Sequence, residues 1–121
     1  MKPITAFYLD DDESLERIVS LAMKKKENCL DIIFFSRLED FSKAIVLGQP
    51  DIVILDWFMP ELSGLEVFKR LMPYRDLKFI FVSASEKLDH DLLNDRKVLG
   101  VIKKPIRPKS FSDEILELWR I

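Results

Sequence analysis

Pro50-Asp51-Ile52-Val53-Ile54-Leu55-Asp56-Trp57-Phe58-Met59-Pro60 is a solid apolar run that ends in a carboxylate, followed by bulky residues ahead of a proline. Ile52 to Leu55 are consecutive apolar β-formers with no polar alternation. That pattern predicts a strand buried on both faces, as in a parallel sheet covered by helices. Such a strand delivers its last residue to the carboxyl edge of the sheet, where ligands and chemistry collect in open α/β folds. Asp56 therefore stands where a reactive group would stand.

On either side of this strand, apolar strands alternate with segments of helical period. A first strand is expected over about Thr5–Leu9. The helix after it carries Leu15, Ile18, Val19, Ala22 and Met23 on one stripe, with Asp12 or Ser14 as its N-cap and Lys24 to Lys26 at its negative end. Leu30–Phe35 reads as the second strand, and Phe41, Ala44 and Ile45 line a second helix that stops at Gly48. After Asp56, Gly64 precedes a third helix with Leu65, Phe68, Leu71 and Met72 on one face, closed by Pro73. Lys78–Val82 reads as a fourth strand ending at Ser83, and a fourth helix is expected around Asp89–Lys97, where only Leu92 and Leu93 are firmly apolar. Leu99–Ile102 is the fifth strand, and Phe111, Ile115 and Leu118 mark a last helix that Ser110 or Ser112 would cap.

This alternation implies one (βα)5 domain over residues 1–121, an α/β doubly wound parallel sheet with right-handed crossovers. The flavodoxin-like strand order 2-1-3-4-5 is the common solution, and it sets strands one and three side by side. Their ends carry Asp10, Asp11 and Asp56, so three carboxylates are expected in one crevice. Unless a cation compensates, like-charge repulsion should raise the pKa of at least one of them. Mg2+, which takes oxygen ligands and is commonly held by one or two carboxylates, suits such a group. Taken alone, the Asp10-Asp11-Asp12-Glu13 run also reads as a solvated loop and helix start.

Order along the chain makes the pattern specific. Asp10-Asp11 follows strand one, Asp56-Trp57-Phe58-Met59-Pro60 with Gly64 and Leu65 follows strand three, Ser83 follows strand four, and Lys104-Pro105 follows strand five. In these features the chain resembles, over essentially its whole length, the response-regulator receiver domains of two-component signalling. The resemblance implies that Asp56 accepts a phosphoryl group from a phosphohistidine on a sensor histidine kinase or a histidine phosphotransfer protein. It implies Mg2+ bound by Asp11, Asp56 and the backbone carbonyl of Phe58, with Asp10 reaching the ion through water. Lys104 would pair with Asp56 and then with a phosphoryl oxygen, Ser83 would donate to another, Ala84 would leave room for the group, and the Lys104-Pro105 bond would be cis. The output would be a change in the surface of helix four, strand five and helix five, read by a downstream protein or a second copy. The domain would then be a regulatory phospho-acceptor that assists its own phosphorylation and dephosphorylation, not an enzyme acting on other substrates.

Composition agrees with that class. Charged residues at 33% beside 48% hydrophobic ones describe an ordinary globular chain, and no apolar run approaches the roughly 18 residues of a membrane span. No leader with a long apolar centre opens the sequence, so the cytoplasm is the expected location. A net charge of −2 offers no basic face for direct nucleic-acid binding. Cys29 is the single cysteine, expected as a buried or half-buried packing residue, and His90, the single histidine, as a surface residue near a helix start. Trp57 reads as a semi-exposed packing residue beside Asp56.

Two positions depart from the family pattern. Val101 stands where many receivers hold a Tyr or Phe that moves with the Ser/Thr switch residue, and Ile106 where an aromatic often follows the proline. Competing readings are a receiver-like interaction module that works without phosphorylation, an aspartate-nucleophile phosphatase, and a nucleotide-binding flavodoxin-like protein. The first typically lacks an acidic residue, the acceptor or the lysine, all present here. The second needs an Asp where Phe58 stands, and the third a Gly-rich loop that three glycines do not supply. Phe58 and Ser85, each two residues beyond a site residue, occupy positions that in receivers govern water access to the acyl phosphate. Phe58→Asn is expected to hasten loss of the phosphoryl group after loading with acetyl phosphate; equal or slower decay than in the parent contradicts this.

Overall fold

A computed structural model describes residues 2–24, 26, 28–73, 76–85, 88 and 90–120. Five strands alternate with five helices: β1 (Ile4–Leu9), α1 (Leu15–Lys24), β2 (Leu30–Phe35), α2 (Leu38–Leu47), β3 (Ile52–Asp56), α3 (Gly64–Leu71), β4 (Lys78–Ser83), α4 (His90–Leu93), β5 (Val98–Lys103) and α5 (Phe111–Arg120). All strands pair in parallel, in the order β2-β1-β3-β4-β5. The (βα)5 flavodoxin-like expectation therefore holds.

Because side chains alternate across a strand, the sheet separates two cores. Ala6, Tyr8, Ile54, Ile80 and Ile102 meet Leu15, Val19, Phe111 and Ile115 from α1 and α5. Phe7, Leu9, Leu55, Phe79 and Phe81 meet Phe41, Ile45, Val67 and Phe68 from α2 and α3. Every residue of β3 is buried, which is why its sequence shows no alternation. β2 lies at the sheet edge and exposes Asp31 and Ile33.

The tips of neighbouring strands are tied level. Asp10 N donates to Phe35 O at 3.0 Å, Trp57 N to Val82 O at 2.9 Å, and Lys104 N to Ser83 O at 2.8 Å. Ser63, overlooked in the sequence although Ser63-Gly64-Leu65-Glu66 has the S-x-x-E form, caps α3 by accepting the Glu66 N–H at 3.2 Å. A Cβ on Gly64 would lie 2.4 Å from the Asp56 carbonyl oxygen, so only glycine lets α3 start this close to the tip of β3. At the end of α2, Gly48 keeps a negative φ of −94°, and its lack of a side chain instead makes room for the Phe7 ring.

Several local expectations change. α4 is one turn, not a helix over Asp89–Lys97. Asp95 N–H bonds to Leu92 O and the Asp95 carboxylate accepts from Lys97 N–H, a polar turn that outcompetes further helix. Asp89, and the side chain of His90, lie outside the described residues, as does Lys25 of the basic run after α1. Of the two cap candidates before α1, Asp12 does the bonding, accepting from both the N–H and the hydroxyl of Ser14 at 3.1 and 2.6 Å. Ser112 does not cap α5; its buried hydroxyl donates to Ala22 O at 2.7 Å and fastens α5 to α1. Cys29 is exposed, because its backbone serves the α1–β2 turn through bonds to Lys26 O and Ile4 N and its side chain is left outside. Among the described residues no helix is long and apolar enough to cross a membrane.

Candidate functional site

At the carboxyl edge, the β1–α1 loop and the tip of β3 bring Asp10, Asp11 and Asp56 together, with one carboxylate oxygen of each within 4.8 Å of the others. Asp10 is fully buried and Asp56 4% exposed, while Asp11 is open to solvent. Two buried carboxylates side by side need compensation, and Lys104 gives it: its Nζ lies 3.1 Å from Asp10 Oδ2 and 3.2 Å from Asp56 Oδ1. The Lys104-Pro105 peptide is cis, as expected. Asp10 is further held by the Tyr8 hydroxyl, which donates to Oδ2 at 2.8 Å, and by the Asp12 N–H, which donates to Oδ1 at 3.1 Å. The sequence reading passed over Tyr8, although a residue two before Asp10 on a strand shares its face.

The pairing of Asp56 with Lys104 was expected, and the second arm of that lysine, to Asp10, was not. Ser83 is 1% exposed and next to the cluster by register, since Asp56 pairs with Val82. Its hydroxyl donates to Ser85 O at 3.1 Å and accepts the Ser85 N–H at 3.0 Å. Phe58 is 67% exposed at the mouth of the site. Trp57 is half-buried, with its ring edge-on to Phe81 at 5.3 Å, as its reading required. Val101 is half-buried opposite Phe81 on β4, and Ile106 is buried in the α1–α5 core. Two hollows flank the cluster. One, of about 170 Å³, is bordered by Asp11, Arg37, Met59 and Leu62; the other, of about 300 Å³, by Leu15, Ile18, Ala84, Lys104 and Ile106.

The electrostatics follow the geometry. Asp56 is pushed up to about 6, first by burial and second by the neighbouring Asp10 charge, with Lys104 pulling the other way. Like-charge repulsion alone was expected to do this; burial is the larger cause. Burial by itself would lower the Lys104 ammonium, yet the Asp10 and Asp56 charges hold it above its ordinary value. Burial and the Asp10 charge also push the Tyr8 phenol far up, so it remains a donor. The donor set of three carboxylates is hard oxygen only, which fits a hard divalent cation and does not suit a thiophilic one.

A raised carboxylate pKa means that the folded state binds the proton more tightly than the unfolded chain. The cost of ionised Asp56 is thus fully present above pH 6 and fades as pH falls through 6 toward the ordinary carboxylate range. In chelator, Asp56→Asn is expected to stabilise the protein at pH 7.5 by about 1–3 kcal/mol, judged at one unit per 1.4 kcal/mol. The advantage should shrink between about pH 6 and pH 4. Urea denaturation at several pH values measures it, and a destabilised variant at pH 7.5 contradicts it.

Comparisons with known proteins fit this architecture. The family model for the response regulator receiver domain matches residues 6–116. The alkaline phosphatase synthesis transcriptional regulatory protein PhoP of Bacillus subtilis is 25% identical over 119 residues, which are 93% of this chain and 47% of that protein. A protein-glutamate methylesterase/protein-glutamine glutaminase of Halalkalibacterium halodurans is 35% identical over 108 residues, 86% of this chain and 31% of that one. The chain thus spans about a third to a half of the length of these curated relatives. A CheY-like receiver domain protein from Methanospirillum hungatei superposes with a TM-score of 0.76 at 17% identity, covering 98% of this chain and 95% of that one. A receiver protein from Burkholderia phymatum gives 0.76 at 21%, covering 98% and 96%. At such identities the structural likeness speaks for the fold alone. With the family model matched from β1 into α5, the chain belongs to the response regulator receiver domains of two-component systems.

Proposed function

We propose that this single domain, residues 1–121, is a phosphorylation switch whose acceptor is Asp56. The observation that carries the reading is the ammonium of Lys104 poised between Asp10 and Asp56, with Asp11 completing an oxygen cluster beside it. Asp11, Asp56 and the Phe58 carbonyl would hold Mg2+, and Asp10 would reach it through water. When bound, Mg2+ offsets negative charge on the transferring group.

The donor is a phosphohistidine on a sensor histidine kinase or a histidine phosphotransfer protein. Its imidazole approaches over the hollow bordered by Ala84, Lys104 and Ile106. The P–N bond breaks with its electron pair returning to the imidazole, and a carboxylate oxygen of Asp56 forms the new P–O bond. Positioning and charge neutralisation dominate such transfers. Lys104 keeps Asp56 aligned beforehand and then follows the charge onto a phosphoryl oxygen. Ser83 gives up its bond to Ser85 O and donates to another, moving the β4–α4 loop.

Because Val101 has no ring to swing inward, the switch runs through that loop, biasing the α4–β5–α5 surface for a downstream protein or a second copy. The domain acts in the cytoplasm as a regulator that assists its own loading and unloading, without direct contact to nucleic acid or membrane.

Acetyl phosphate with Mg2+ should add the mass of one phosphoryl group to the intact protein. The gain should vanish in Asp56→Ala and in chelator. A gain that survives Asp56→Ala contradicts the acceptor assignment, and no gain at all favours an interaction module that works without phosphorylation.

A further inference from the structure

Tyr8 touches the acidic cluster and has no part in the reading above. It is fully buried in β1, its ring edge-on to Phe34 at 5.3 Å and tilted against Phe111 at 5.6 Å. Its neighbours on that face of the sheet, Ala6, Ile32 and Ile54, are apolar. A phenol hydroxyl is costly to bury in such surroundings unless it finds a partner. Its partner is Asp10 Oδ2 at 2.8 Å, the same oxygen that Lys104 Nζ approaches to 3.1 Å. The other oxygen, Oδ1, accepts the Asp12 N–H at 3.1 Å. Asp10 is therefore gripped from two sides by neutral donors on its own strand and loop, and Lys104 is a third donor that it shares with Asp56.

We infer that Tyr8 is a positioning residue of the acidic site, fixing the Asp10 carboxylate and remaining as its donor when Lys104 turns away. The inference rests on the reading that the cluster of Asp10, Asp11 and Asp56 takes Mg2+. Without the hydroxyl, buried Oδ2 depends on Lys104 alone, and the ammonium is retained where the cation's charge would otherwise act. The carboxylate also loses the bond that sets its rotation. Partners of the metal ligands themselves typically carry about 10–100-fold of metal affinity; Tyr8 holds Asp10, which would reach the ion through water, so the lower end of that range is expected.

Tyr8→Phe keeps the ring and removes only the hydroxyl. In a Trp119→Phe background, which leaves Trp57 as the sole indole beside Asp56, titration with magnesium chloride alone can be followed by fluorescence. Tyr8→Phe is expected to weaken Mg2+ binding about tenfold. Phe41→Leu, which loosens the core on the other face of the sheet, should lower the thermal midpoint and leave Mg2+ binding unchanged. Equal affinity in Tyr8→Phe and its parent overturns the inference, as does an equal loss in Phe41→Leu. If the parent itself fails to bind Mg2+, the metal reading underneath falls, and the inference with it.

Discussion

One ammonium held between two buried carboxylates is the constraint on which the site depends. Asp10 and Asp56 sit at the tips of adjacent strands with almost no exposure, and Lys104 lies within 3.2 Å of both. Burying two like charges together is unfavourable unless a countercharge comes with them. Here the offset is incomplete, since Asp56 still binds its proton more tightly than an ordinary carboxylate. A site with residual unfavourable charge is poised to accept a cation. Lys104, being shared, can shift toward whichever partner gains charge.

The parallel sheet makes this arrangement possible. Every strand points the same way, so residues far apart in sequence arrive at one edge, and the 2-1-3-4-5 order puts the tips of β1 and β3 side by side. Backbone bonds at the tips then set the register of Asp10, Trp57 and Lys104. The close approach at Gly64 anchors α3 to the peptide of Asp56 itself, so the backbone of Asp56 is fixed by packing while its carboxylate faces the crevice. On that same side of the sheet, Phe68 of α3 packs edge to face on Phe79 and Phe81 and makes the anchor stiff.

The sequence was most legible where burial leaves little choice. The unbroken apolar runs of β3 and β4 could hardly be anything but central strands, and the ends of four strands, β1, β3, β4 and β5, named the candidate site because a parallel fold collects them. What stayed hidden depended on pairings across space. Ser112 bonds to Ala22, ninety residues away, and no local pattern announces it. Tyr8 looked like one more strand aromatic, because the direction of its hydroxyl is set by the packing of Phe34 and Phe111 around it. α4 was overdrawn since two leucines suggest a helix, while the Asp95 turn that ends it is a competition between side chain and backbone. Cys29 was placed inside on residue type alone, whereas the turn it occupies demands its backbone and not its side chain.

Lys104 as the shared countercharge can be tested most directly by a crystal structure of the protein with Mg2+ and beryllofluoride, a phosphoryl mimic. The Nζ of Lys104 should lie within hydrogen-bond distance of a fluorine on Asp56, while Asp10 keeps its bond from Tyr8. Lys104 still paired with Asp10 and out of reach of the bound analogue would contradict it.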